Sequence, residues 1–187
     1  MRLIILGPQG AGKGTQATVV AGKFGVPHIS TGDIFRANIA DQTPLGVEAK
    51  AFTDSGELVP DEITNAMVKN RLEQPDAASG FLLDGYPRTA AQSTVLDDFL
   101  MSRGERLDAV IELTVDESQL LERLAKRAAE QGRSDDTDEA IRRRLDIYRQ
   151  STAPLVDYYR GQGVLRSIDG TGSVDDVTER ILAALSA

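Results

Sequence analysis

The 187-residue chain is sized for one domain with small insertions, and at 41% hydrophobic and 27% charged residues it has the composition of an ordinary globular protein. It has no cysteine, which excludes disulfides and thiolate metal sites, and a net charge of −8, which sets the chain as a whole against a polyanion such as nucleic acid. The N-terminal apolar run is too short for a signal-peptide core and no stretch approaches a membrane span, so no membrane is expected and the cytoplasm is the expected compartment.

Leu3 to Leu6 is a continuous apolar run ending in a Gly-rich turn, the pattern of a strand buried on both faces. Thr15 to Phe24 reads as the following helix, stopped by Gly25 and Pro27. Val26 to Ile29 is a candidate short strand. Residues 30–59 are helical and turn-rich without a clear strand, and read as an insertion over the sheet edge. Gly80 to Asp84 forms the next strand, ending in the turn "DGYPR", and Asp108 to Thr114 another. Asp116-x-x-Gln119 resembles a capping box before a helix with Leu120, Leu121, Leu124, Ala125 and Ala128 on one face. Residues 128–138, polar and containing a glycine, read as a second insertion. Gly163 to Ile168 is the last strand. Ser173-x-x-Asp176 opens a final helix with Val174, Val177, Ile181 and Leu185 inward.

This alternation predicts an α/β fold: one core domain over residues 1–187, with about five parallel strands covered by helices on both faces. Ligands of such sheets sit beyond the carboxyl ends of the strands, where the Gly-rich loop and "DGYPR" both fall.

Gly7-x-x-x-x-Gly12-Lys13 has the spacing of a phosphate-binding P-loop. Its glycines let backbone N–H groups turn toward phosphates, Lys13 adds a cation, and the following helix contributes its N-terminus. The general motif has Ser or Thr directly after the lysine. Here Gly14 intervenes and the hydroxyl belongs to Thr15, which is read as bonding a phosphate rather than a metal. Asp84 is then the candidate to hold Mg²⁺, directly or through water. Its other reading is a turn cap before Gly85.

The arginines fit phosphoryl transfer, which asks mainly for positioning and positive charge. Arg123 and Arg127 lie four apart on one helix face, just before the polar segment with Arg133; Arg144 follows in "AIRRRL", and Arg36 and Arg88 fall in the other two candidate segments. Arg142 and Arg143 are read as surface residues. An acceptor phosphate is already an oxyanion and needs no base, and the single histidine, His28, is read as structural. Asp135 and Asp136 either cap the helix beginning near Thr137 or pair with the neighbouring arginines. Val59-Pro60-Asp61 ends one segment and caps the next helix.

In chain order, "GPQGAGKGTQ", "ISTGDIFR", "LVPDE", "LLDGYPRTAAQ" and "GRSDDTDEAIRRRL" together closely resemble the adenylate kinase family over essentially the whole chain, and the Gly14 departure is that family's own pattern. The resemblance implies the reaction ATP + AMP ⇌ 2 ADP with Mg²⁺, on a monomeric P-loop fold with two mobile covers. Residues 30–59 resemble the AMP-binding cover and residues 128–138 the lid in its short form. Longer members carry a zinc-binding cysteine set. This chain has no cysteine, so no zinc is expected.

The resemblance places the ATP phosphates on Gly10, Ala11, Gly12, Lys13, Gly14 and Thr15, Arg123 and Arg127 beside ATP, and the Gly172 backbone near the adenine. For AMP it implies Thr31, Arg36, Glu57, Leu58, Val59, Gly85, Tyr86, Pro87, Arg88, Gln92, Arg133 and Arg144. Lys13, Arg88, Arg123, Arg133 and Arg144 are the expected catalytic cations. Thr31 is expected either to cap its helix or to face the base, and the Gln92 amide suits one edge of adenine. The rival readings are a UMP/CMP-type kinase and an NTP-hydrolysing switch. The chain has no Asn-Lys-x-Asp guanine motif.

Overall fold

The computed structural model describes residues 1–131 and 137–186, with side chains described to Arg127 on the first stretch. Five strands, β1 (Arg2–Leu6), β2 (His28–Ser30), β3 (Phe81–Asp84), β4 (Ala109–Thr114) and β5 (Leu165–Asp169), form one parallel sheet in the order β2-β3-β1-β4-β5. The chain therefore leaves β1 for one side of the sheet and later returns to fill the other. The ends of β1, β3 and β4 thus surround the point where the strand order reverses, which is where α/β sheets bind ligands.

Side chains alternate across each strand, and the alternation sorts the core into two layers. Leu3, Ile5, Leu82, Ile111 and Ile168 pack with α1 (Lys13–Phe24) and α9 (Val174–Ser186) through Val20, Val177 and Ile181. Ile4, Leu6, Leu83 and Val110 face the opposite way, against Val68 and Leu72 of α4 (Asp61–Leu72), Leu96 and Leu100 of α5 (Ala90–Ser102), and Leu155 and Tyr159 of α8 (Leu155–Gly161). Each fully buried Leu or Ile contributes about 1.5–3 kcal/mol, so the two layers hold the strands in fixed register.

Residues 31–55 form α2 (Thr31–Ala40) and α3 (Pro44–Ser55), which share a small core of Phe35, Ala49 and Val59 packed by Leu45 and Phe52. Ser30 caps α2 by accepting from the Asp33 N–H at 3.2 Å, and Thr43 caps α3 by accepting from the Gly46 N–H at 3.1 Å. The two helices cross so closely that a Cβ at Gly46 would run into the Asn38 carbonyl. On the other side of the cleft, α6 (Glu117–Gln131) meets α7 (Asp138–Ile147) through Leu124, Ile141 and Leu145. Thr137 caps α7 by accepting from the Ala140 N–H at 3.2 Å. Arg133, Asp135 and Asp136 lie outside the described residues.

Several sequence expectations shift. The short strand expected at 26–29 lies at 28–30, and the last strand starts at Leu165, where it pairs with Val110. On α6, Leu120 and Leu124 are buried, whereas Leu121 and Ala125 are exposed, so the apolar stripe is narrower than expected. Ser173 and Asp176 exchange bonds as a capping box, but Val174 is 47% exposed, because the first turn of α9 overhangs the cleft described below. Asp61 is the first residue of α4, not its cap; Pro60 holds that position and makes no side-chain cap bond.

Candidate active site

The loop after β1 and the turn after β3 leave neighbouring strands, with Ile5 opposite Asp84 in the register. Together with α2, α3, α6, α7 and the loop after β5 they enclose one cleft of about 920 Å³. Gly10, Ala11, Gly12, Lys13, Gly14 and Thr15 line it, as do Arg123, Arg127 and Gly172. So do Thr31, Arg36, Glu57, Leu58, Val59, Asp84, Gly85, Pro87, Arg88, Gln92 and Arg144. A chain of net charge −8 thus gathers Lys13 and five arginines around one cavity. Tyr86 differs from the expectation: its side chain is 1% exposed, belongs to the core, and donates its hydroxyl to Asn65 Oδ1 at 2.6 Å.

Lys13 opens α1, and its ammonium donates to the Pro8 carbonyl at 2.9 Å. Burial pushes the Lys13 ammonium down to about 8; Asp84 opposes the shift, while Arg88 and Arg127 add to it. A cation held at such a cost is poised for an anion. Asp84 is buried at the end of β3 and lies beside the phosphate loop, where a Cβ at Gly14 would be in van der Waals contact with Oδ2 at 3.6 Å.

Arg88 is the junction of the site. Burial holds its guanidinium below the ordinary arginine value; Asp84 opposes this, and Arg144 and Arg36 add to it. Its Nε donates to the Gly85 carbonyl at 2.8 Å. Gly85 has φ +81°, and a Cβ there would lie 2.7 Å from Thr31 Oγ1 and 3.0 Å from an Arg88 nitrogen, so only glycine lets both close in. Thr31 neither caps its helix, which Ser30 does, nor leaves its hydroxyl proton free: it donates to the Gly85 carbonyl at 2.9 Å.

The remaining arginines stitch elements together. Arg123 donates to the carbonyls of Gly170 at 3.0 Å and Ala11 at 3.4 Å, tying α6 to the loops after β5 and β1. Arg144 on α7 donates to the Thr53 carbonyl of α3 at 3.0 Å, and its exposed neighbour Arg143 pairs with Glu57 at 2.6 Å. Arg36 pairs with Asp33 at 2.5 Å. Gln92 is buried, with its Oε1 accepting from the Arg88 N–H and its Nε2 donating to Asp61, both at 2.7 Å.

Three contacts to residues of the cleft escape sequence reasoning. His28, read as structural, has its Nε2 3.4 Å from Asp84 Oδ2 and its Nδ1 3.3 Å from Thr18 Oγ1. Knowing that β2 pairs with β3 would have exposed it. Asp61 and Thr152 act on Gln92 and Arg88 across the chain, and no local pattern marks them. Among the described residues, no group of three or more His, Cys, Asp or Glu side chains is arranged to hold a metal ion, and no helix is long and apolar enough to cross a membrane.

A parallel sheet in this order, a phosphate loop on its central strand and a second arginine-lined subsite in the same cleft define a P-loop nucleoside monophosphate kinase. The family model described as adenylate kinase matches residues 5–164. A protein named adenylate kinase from a Nocardioides species is 58% identical over 185 residues, covering 99% of this chain and 97% of that one. Another so named, from Thermobifida fusca, is 54% identical over 187 residues, covering 100% and 99%. The chain belongs to the adenylate kinase family.

Proposed function

We propose that the protein transfers the terminal phosphoryl group of ATP to AMP, reversibly and with Mg²⁺, giving two ADP. The observation that carries this reading is that the Gly10–Thr15 loop with Lys13 and a second set of cations, Arg36, Arg88 and Arg144, line one and the same cleft. One cleft therefore has a cationic seat for the donor phosphates and a second for an acceptor phosphate.

In this reading the backbone from Gly10 to Thr15 and the Lys13 ammonium hold the ATP phosphates. Arg123 and Arg127 lie along the donor, and the Gly172 backbone meets its base. The AMP phosphate is held by Arg36, Arg88 and Arg144, its base by Thr31, the Glu57–Val59 stretch and Gln92, and the Gly85–Arg88 turn walls the site. Arg133, outside the described residues, completes the cation set in this reading.

The acceptor oxygen is already charged, so the residues need only align it with the donor and spread positive charge over the moving oxygens. Asp84, a buried carboxylate that lines the cleft beside the phosphate loop, fits Mg²⁺, which is commonly held by one or two carboxylates, waters and substrate phosphates. The ion's contribution when bound is neutralisation of phosphate charge. Residues 30–59 and 128–138 act as covers that exclude water from the bound nucleotides and so limit wasteful hydrolysis. The protein works as a monomer in the cytoplasm.

The test is an assay of ADP formation with ATP plus AMP, UMP or CMP, and with ATP alone. Turnover with AMP well above the other three is expected. A preference for UMP or CMP overturns the acceptor assignment, and equal turnover with ATP alone overturns the transferase reading.

A further inference from the structure

We propose that Asp61 is a positioning residue that fixes which way the Gln92 carboxamide faces, and so makes the acceptor site select 6-amino over 6-oxo purine monophosphates. The inference rests on the reading of Gln92 as a contact to the acceptor base.

The two ends of a carboxamide are nearly identical in shape, and only their partners decide which is the oxygen. Gln92 has two partners, each of which works in one direction only. The Arg88 N–H donates, and sits 2.7 Å from Oε1. The Asp61 carboxylate, when ionised, accepts, and sits 2.7 Å from Nε2. Turning the amide over would press an NH₂ against an N–H and an oxygen against a carboxylate. Asp61 is itself held: its Oδ2 accepts from Thr89 Oγ1 at 3.1 Å, and the same hydroxyl caps α5 by accepting from the Gln92 N–H at 3.1 Å. One turn further along α4, Asn65 accepts from the Tyr86 hydroxyl at 2.6 Å, which pins α4 to the base of the same turn. The amide is buried yet lines the cleft.

With one N–H and one oxygen lone pair committed, one of each remains for a ligand. Adenine offers an acceptor, N1, beside a donor, the 6-amino group. Hypoxanthine reverses both, with a donor N1–H beside the acceptor O6. For a purine seated in one pose, the two bases require opposite faces of the amide. A freely turning glutamine would serve either base, whereas a locked one serves only one.

The test compares kcat/KM for AMP, inosine monophosphate and purine riboside monophosphate, which keeps N1 but has only hydrogen at position 6. In the unaltered protein the order AMP, then purine riboside monophosphate, then inosine monophosphate is expected. The locked amide still donates to N1 of the second but opposes both groups of the third. Asp61→Asn, whose amide can donate as well as accept, is expected to narrow the AMP-to-inosine monophosphate ratio at least about tenfold, chiefly through KM. Glu62→Gln removes a charge from the same first turn of α4 without touching Gln92, and is expected to leave the ratio unchanged. An unchanged ratio in folded Asp61→Asn, or an equal shift in Glu62→Gln, overturns the proposal. Should Asp61→Asn fail to fold, inosine monophosphate matching or exceeding purine riboside monophosphate in the unaltered protein overturns it. A protein that prefers UMP or CMP to AMP would fail at the earlier reading instead.

Discussion

The hydroxyl of Thr152 donates to the backbone carbonyl of Arg88 over 2.9 Å, joining residues 64 positions apart. Thr152 is buried and ends a π-helical turn, Tyr148–Thr152, between α7 and α8. Such turns interrupt a helix's bonding and recur at functional sites. Here the turn holds the main chain of Arg88, whose side chain lines the cleft. Thr152→Val keeps the volume but leaves a part-buried carbonyl short of a donor, with an expected loss of about 1 kcal/mol of stability. Thermal unfolding and kinetics together check it: Tm should fall, and kcat should fall with it. A drop in Tm with unchanged kcat would make the contact purely structural.

Lys13→Ala should leave the fold intact and lower kcat at least about 100-fold, by analogy with removal of one electrostatic stabiliser. Lys13 contributes no apolar side chain to either core layer. Near-normal kinetics in the folded variant would remove Lys13 from the mechanism.

The depressed Lys13 pKa has a sign that pH experiments can read. The folded protein releases this proton near 8, and the unfolded chain only near 10.5. Between those values the unfolded state binds more protons, so the contribution of Lys13 to stability rises with pH across that window. Nucleotide phosphates reverse the preference by favouring the charged ammonium. ATP binding near pH 8 to 9 should therefore take up protons, measured by calorimetry in buffers of different ionisation enthalpy. No uptake in the protein, or the same uptake in Lys13→Ala, would count against this assignment.

Arg88→Lys retains charge but loses the planar fork and the Nε bond to the Gly85 carbonyl. A strong fall in kcat is expected. An effect confined to KM for AMP would make Arg88 a binding residue only.

Chelation should abolish activity, restored by Mg²⁺, without lowering Tm. The chain has no cysteine to form a thiolate site, and Asp84 alone does not hold a structural metal. Stoichiometric zinc in the purified protein, or a lowered Tm on chelation, would contradict this.

The parts of the molecule written in local pattern were legible. The strands read at residues 3–6, 80–84 and 108–114 are central strands with mostly apolar residues because both faces of the sheet are covered, and the phosphate loop declares itself by glycine spacing. The edge strand β5 was harder to bound: Arg166 and Ser167 interrupt its apolar pattern, with Arg166 donating to the Ala184 carbonyl of α9 and Ser167 to Glu112. Asp61 looked like a cap because acidic residues favour helix starts, and its bonds to Thr89 and Gln92 depend on how α4 lies against α5. The same holds for His28 beside Asp84. Such contacts are set by packing between distant segments, which no spacing along the chain encodes.

Because Ile5 stands opposite Asp84 in adjacent strands, the sheet behaves as a ruler for the chemistry. Neighbouring strands lie about 4.8 Å apart, and backbone hydrogen bonds keep that pitch whatever side chains they carry. The roots of the donor loop and the "DGYPR" turn are separated by this interval and not by the lengths of flexible segments. α2, α3 and α7 reach the same cleft from outside the sheet, through residues such as Arg36, Thr53 and Arg144, and have no strand pairing to fix their distance from it. The span across which the two loops face each other stays with the backbone.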